Sequence, residues 1–161
     1  MTDRKPPSAA PTRDLLGLLV GEWAGTYRLW LEPHVLRTES PSVCVGRPVL
    51  IERFVSLDYS WSDIDTPQLG NMLLGCTDEG VWEMAWVDSW HTGMSMMFCT
   101  GNKAAFEVAG KYGPEDSWSW RTRFDLSSPD DLTITAWNIT PSGDEAKATE
   151  ATYRRSIRSV T

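Results

Sequence analysis

Histidine is scarce in this sequence: there are two, His34 and His91, far apart along the chain. No H-x-H or HExxH spacing occurs, so no zinc centre, and no metal site of any kind, is predicted. Cysteine is almost as rare. Cys44, Cys76 and Cys99 are odd in number and form no CxxC pair, which excludes a disulfide framework and a zinc knuckle. Three reduced, buried thiols are expected instead. Positive charge is in deficit, with 15 Lys plus Arg against 22 Asp plus Glu and a net charge of −7. Such a chain offers no electrostatic footprint for a phosphate backbone, so no nucleic-acid partner is expected. Long apolar runs are missing too. LLGLLV (15–20) is too short for a bilayer span or a signal-peptide core, and the cytoplasm is the expected location. There is no nucleophile elbow and no glycine-rich phosphate loop. Thr77-Asp78-Glu79-Gly80 has turn chemistry without the spacing of a calcium loop.

What the chain has in excess is tryptophan: nine residues, against four Tyr and four Phe. An indole buries a large area and carries an N–H to satisfy. Nine of them predict a thick aromatic core or a lined cavity. Residues 1–12, with Pro6, Pro7 and Pro11, read as a disordered tail, and 13–161 as a single domain. A short helix is expected from an N-cap at Thr12, with Leu15, Leu18 and Leu19 at helical spacing and Gly21 as its end.

Beyond it the period changes to that of strands. Runs rich in Trp, Val, Ile, Thr and Phe are predicted as strands near 22–31, 43–47, 49–57, 71–76, 81–89, 94–101, 104–110, 117–126, 131–139 and 147–158. Turn clusters such as Ser40-Pro41, Asp78-Glu79-Gly80, Gly113-Pro114 and Pro141-Ser142-Gly143 separate them, and Ser62 to Gly70 reads as a longer loop. About ten short antiparallel strands without covering helices are expected to close on themselves. The predicted fold class is all-β, an up-and-down barrel with room for a ligand and a short helix at one end.

Residues two apart on a strand share a face. In LVGEWAGTY (19–27), Gly21, Trp23, Gly25 and Tyr27 therefore point one way, as the first strand of a narrow barrel requires. The glycines let the strand bend and Trp23 plugs the closed end. LVGEWAGTY, AWVDSW (85–90) and ATYRR (151–155) together resemble a bacterial family known as domain of unknown function 1579. More distantly, the Gly-x-Trp opening is similar to that of calycin barrels, which include lipocalins and fatty-acid-binding proteins. The stretch from Glu32 to Ser42 departs from the family pattern. The resemblance implies a calycin-like barrel and no established activity. It also implies an arginine from the last strand stacked on the opening indole, with Arg154 and Arg155 as the matching residues. Because Tyr153 shares Arg155's face, Arg154 is the one expected to tuck around the end. Nitrobindin-type barrels open similarly and hold haem through a histidine on a late strand. The late strands here contain none, so no haem and no other cofactor is predicted.

The run VWEMAWVDSWH (81–91) bears most directly on function. Trp82, Met84, Trp86, Asp88 and Trp90 share one face, the wall of an apolar pocket with one carboxylate to orient a guest. An interior Asp88 needs a partner, and Arg121 or Arg123 can supply it across the barrel. Alternatively Asp88 sits at the rim or caps the turn before Gly93. His91 and Asp88 can form an acid–base pair at the barrel mouth, or His91 is a solvated turn residue. Met94, Met96 and Met97 beside Phe98 form an adaptable apolar cluster, pocket wall or core filler. In 117–126, Trp118, Trp120, Thr122 and Phe124 are expected inside and Arg121, Arg123 and Asp125 outside. If the arginines instead face in, they would hold a carboxylate.

The leading expectation is a protein that binds a small apolar or amphipathic molecule inside its barrel. Tyr27, Trp86, Met96, Phe98 and Trp120 form the wall, with Asp88, Arg121 or Tyr153 as polar orienters. The alternatives are an enzyme using Asp88 and His91, and a packed homodimerisation module without a ligand.

Overall fold

The structure is a computed structural model, and it describes residues 14–101 and 105–156. A six-residue helix, α1 (Asp14–Leu19), leads into ten strands: β1 (Gly21–Glu32), β2 (Val35–Val49), β3 (Phe54–Asp63), β4 (Thr66–Cys76), β5 (Trp82–Asp88), β6 (Met97–Gly101), β7 (Glu107–Tyr112), β8 (Trp118–Ser128), β9 (Asp131–Ile139) and β10 (Glu145–Arg155). Each strand pairs antiparallel with its neighbours in the chain, and β1 also pairs with β10, so the sheet closes into a barrel. The predicted N-cap Thr12 and the predicted tail lie outside the described residues.

The alternation of side chains explains the closure. In β5, Trp82, Met84, Trp86 and Asp88 are buried while Glu83 is exposed. In β8, Trp120, Thr122 and Phe124 are buried, and Arg121 and Arg123 lie on the opposite face. Ten half-apolar strands with no covering helices can bury their apolar sides only against one another.

The closed end is built around the opening segment. Trp23 is fully buried and its Nε1 donates to the Leu19 carbonyl at 3.0 Å, tying β1 to α1. The Arg155 guanidinium lies 4.2 Å from the Trp23 ring centroid. It donates to the carbonyls of Leu18, Val20 and Pro129. This corrects the expectation for the two arginines. Arg155 follows the inward parity of Tyr153 and reaches the indole, while Arg154 is exposed and pairs with Asp131 at 3.2 Å. The glycines answer to close approach. A Cβ on Gly25 would stand 1.8 Å from the Thr152 carbonyl oxygen of β10, and one on Gly21 (φ +132°) would meet the Arg155 guanidinium.

Two turns differ from expectation. Ser40-Pro41 is no turn: β2 runs unbroken from Val35 to Val49, and Pro41 pairs with Thr26 of β1. The ladder from β2 to β3 begins only at Val43, so the missing proline donor costs no bond there. The chain reverses instead at Leu50, Ile51 and Glu52, all with positive φ. Ser62 to Gly70 is no loop either. β3 and β4 pair out to Asp63 and Thr66, leaving Ile64 and Asp65 as a two-residue turn.

Candidate functional site

The barrel interior at the end opposite α1 is organised by Asp88, the last residue of β5. Its side chain has no exposed surface. Oδ1 accepts from the backbone N–H groups of Trp90 and His91 at 2.8 and 2.9 Å, and stands 2.9 Å from His91 Nδ1. Oδ2 accepts from the Tyr59 hydroxyl at 2.7 Å and from Trp61 Nε1 at 3.3 Å. Burial alone opposes ionisation of this carboxyl. The bond and charge of His91, the Tyr59 hydroxyl and the backbone donors outweigh it and hold the group down to about 2. Asp88 is therefore an interior anion, and it also caps the turn before Gly93: the N–H groups of Thr92 and Gly93 donate to its carbonyl. Both sequence-based placements of Asp88 describe part of its role. Its partner, however, is His91 and neither Arg121 nor Arg123.

His91 sits on the segment joining β5 to β6, folded inward over the barrel mouth with 7% of its side chain exposed. It is not a solvated turn residue. Its ring is surrounded by indoles, at centroid distances of 4.7 Å to Trp90, 5.3 Å to Trp120, 5.5 Å to Trp86 and 5.7 Å to Trp61. When the ring is neutral, the Asp88 anion facing Nδ1 keeps the one proton there, and Nε2 presents a lone pair. Nε2 is buried and has no hydrogen-bond partner. One other buried side-chain atom among the described residues shares that condition, Trp82 Nε1 near the closed end, where the ring stacks on Phe106 at 4.1 Å.

The remaining interior polar atoms are bonded to each other. Tyr59 accepts from Trp86 Nε1 at 2.8 Å. The Tyr153 hydroxyl meets Ser42 Oγ at 2.8 Å, and Trp120 Nε1 donates to Thr122 at 3.1 Å. Tyr27 stacks on Trp61 at 4.5 Å and is hydrogen-bonded to Thr149. Burial raises the pKa of Tyr27, Tyr59 and Tyr153, most of all because a phenolate would be desolvated, so all three stay neutral hydroxyls. A small cavity remains among Tyr27, Tyr59, Met72, Trp86, Trp120 and Tyr153, about 20 Å³ in volume. That is room for one water molecule. The expected open chamber is thus filled, because the indoles that were to line it pack across it: Trp86 stacks on Trp120 at 5.1 Å.

Of the residues expected in the wall, Tyr27, Trp86, Asp88, Trp120 and Tyr153 point inward and converge here. Met96, Phe98 and Arg121 do not. Met96 and Phe98 are 60% and 69% exposed on the outer surface. Met96 falls before β6, and Phe98 takes the outward parity, because the buried neighbour on that strand is Cys99. Arg121 lies outside over Trp137, bonded to Glu107 at 2.9 Å. Met94 is fully exposed. Sequence reasoning overlooked Tyr59 and Trp61, although their parity with Val55 and Leu57 in β3 would have placed them inside.

Among the described residues no group of three or more His, Cys, Asp and Glu is arranged to hold a metal ion. No helix there is long and apolar enough to cross a membrane. Comparison with curated proteins finds no match. Among solved structures the chain is similar to Rv2717c from M. tuberculosis, with a TM-score of 0.60 and 15% identity over 93% of this chain and 100% of that one. It is equally similar to the S-type phycobiliprotein lyase CPES from Guillardia theta, with a TM-score of 0.60 and 15% identity over 91% of this chain and 93% of that one. At such identity the likeness shows the fold alone. The family described as Protein of unknown function (DUF1579) matches residues 8–155, and the chain belongs to that family.

Proposed function

We propose that the protein binds a small amphipathic molecule in the barrel, beside the stacked Trp86 and Trp120 and against His91. The observation that carries this reading is the unpartnered Nε2 of His91. A buried polar atom left unpaired costs about 1–3 kcal/mol, and a guest with an O–H or N–H donor would remove that cost. The surrounding indoles suit an apolar, flat body. A barrel of this fold is also that of a phycobiliprotein lyase, a likeness of fold alone.

Entry requires the mouth to open, since the resting cavity holds one water. The weakest part of the wall lies beside His91. β5 and β6 share four residue pairs, and β6 and β7 share two. Short ladders open at low free energy, so β6 is the door. Native mass spectrometry of the protein purified from its own host tests the reading. The expected result is an added mass that diminishes in His91→Phe. A bare polypeptide mass, together with no organic material on solvent extraction, would refute it.

The same dyad supports a second reading, as an enzyme. Asp88 fixes the Nδ1–H tautomer, which leaves Nε2 as a general base. Under that reading Asp88→Asn and His91→Ala abolish turnover of whichever substrate a panel identifies, and unchanged turnover in both ends it.

A further inference from the structure

A second aromatic site lies on the outer surface, on strands away from the door. β1 and β10 pair from Trp23 to Leu29 on one side and from Thr149 to Arg155 on the other, then part. Register shifts flank the point of parting, at Leu29/Trp30 and at Lys147/Thr149. They open a cleft of about 350 Å³ lined by Trp30, Pro33, His34, Trp137, Glu145 and Lys147.

The register explains its walls. Arg121, Trp137 and Lys147 sit side by side on β8, β9 and β10. The Arg121 guanidinium lies 4.1 Å from the Trp137 ring centroid, reaches Glu145 of β10, and fixes that indole. The cleft lies beside it, lined by residues of β1, β9 and β10. The Lys147 ammonium stands 5.4 Å from the Trp30 ring. Both indoles are only half-buried, although the barrel interior absorbs most of the chain's other large rings.

The polar groups are balanced. Lys147 pairs with Glu150 at 2.6 Å, and Glu145 pairs with Arg121. With its charges already compensated, the cleft gains little from an ionic ligand, and the acidic chain repels an anion. A purely apolar ligand would strip water from Glu145, Lys147 and His34 without replacing their hydrogen bonds. The matching chemistry has apolar faces and an equatorial belt of groups that both donate and accept. We propose that this cleft binds a neutral sugar ring. Trp30 and Trp137 take its C–H faces, for which the negative face of an indole is suited. Glu145 accepts from its hydroxyls, Lys147 donates to them, and His34 does either.

Saturation-transfer NMR with a panel of neutral hexoses, N-acetylhexosamines and disaccharides at millimolar concentration tests this. Transfer to at least one sugar is expected from the wild type, with binding about tenfold weaker in Trp30→Ala and in Trp137→Ala. Arg154→Ala, an exposed change at the closed end, leaves it unaltered. Lys147→Met with Glu145→Gln, which spares both indoles, also weakens binding and serves if a tryptophan variant fails to fold. Absence of transfer from every sugar overturns the proposal. So does transfer that survives both the loss of the two outer indoles and the Lys147/Glu145 change.

Discussion

Asp88 does three things with one side chain: it anchors Tyr59 and Trp61, holds the turn that carries His91, and fixes the His91 tautomer. Removing its charge leaves several buried donors facing a weaker acceptor. Asp88→Asn is expected to destabilise the fold by about 1.5–3 kcal/mol in urea titrations, the usual worth of hydrogen bonds to a charged group. The pH dependence has a definite sign. A carboxyl held down to about 2 in the folded state, against 3.8 ordinarily, adds stability that is complete above pH 4 and is lost as pH falls from 4 to 2. The stability gap between wild type and Asp88→Asn is therefore expected to close over that interval. On the alkaline side, burial pushes the Cys44 and Cys99 thiols up to about 12 and raises the buried tyrosines. Groups raised in this way lose their stabilising contribution as pH climbs. Unfolding titrations should show stability declining above pH 9 in wild type and less steeply in Cys44→Ala.

The closed end depends on α1 and β10 meeting at Trp23. Arg155→Ala removes a guanidinium that both stacks on the indole and bonds three carbonyls, and is expected to cost about 1–3 kcal/mol. Arg154→Ala, on the exposed neighbour, should stay within about 0.5 kcal/mol. The turns offer a contrasting test. Ile51 is 96% exposed at φ 53° and Ile64 is 62% exposed at φ 57°. A β-branched residue in that region costs about 1–2 kcal/mol. Ile51→Gly and Ile64→Gly should each raise stability by up to about 1 kcal/mol, read from urea midpoints.

These same turns show where the sequence stops being readable. Leu50-Ile51 and Asp63-Ile64-Asp65 carry no Gly-Asn signal, so they read as a strand and a loop, while Ser40-Pro41 imitates a break that the barrel tolerates. The interior faces of β1, β5 and β8 were legible because alternation alone fixes them. The pairing of His91 with Asp88 was one of two readings open there, but the burial of its ring among four indoles was not legible, since it depends on how separate strands pack. Nor does composition reveal that the indoles would interlock and fill the space they surround.

The molecule as a whole is a closed, acidic barrel whose mouth is stoppered by a histidine with one idle nitrogen. Its two aromatic regions divide by parity, one inside around His91 and one outside between Trp30 and Trp137. The proposed function requires a guest that donates to the buried, unpartnered Nε2 of His91. The direct measurement is a titration of the protein with 1-naphthol and with naphthalene, followed through the imidazole nitrogen resonances of His91. Nδ1 should be protonated throughout. Nε2 should shift with 1-naphthol alone, and 1-naphthol should bind several-fold more tightly, a preference lost in His91→Phe. Equal binding of the two compounds, or a His91 signal that never moves, would contradict the account.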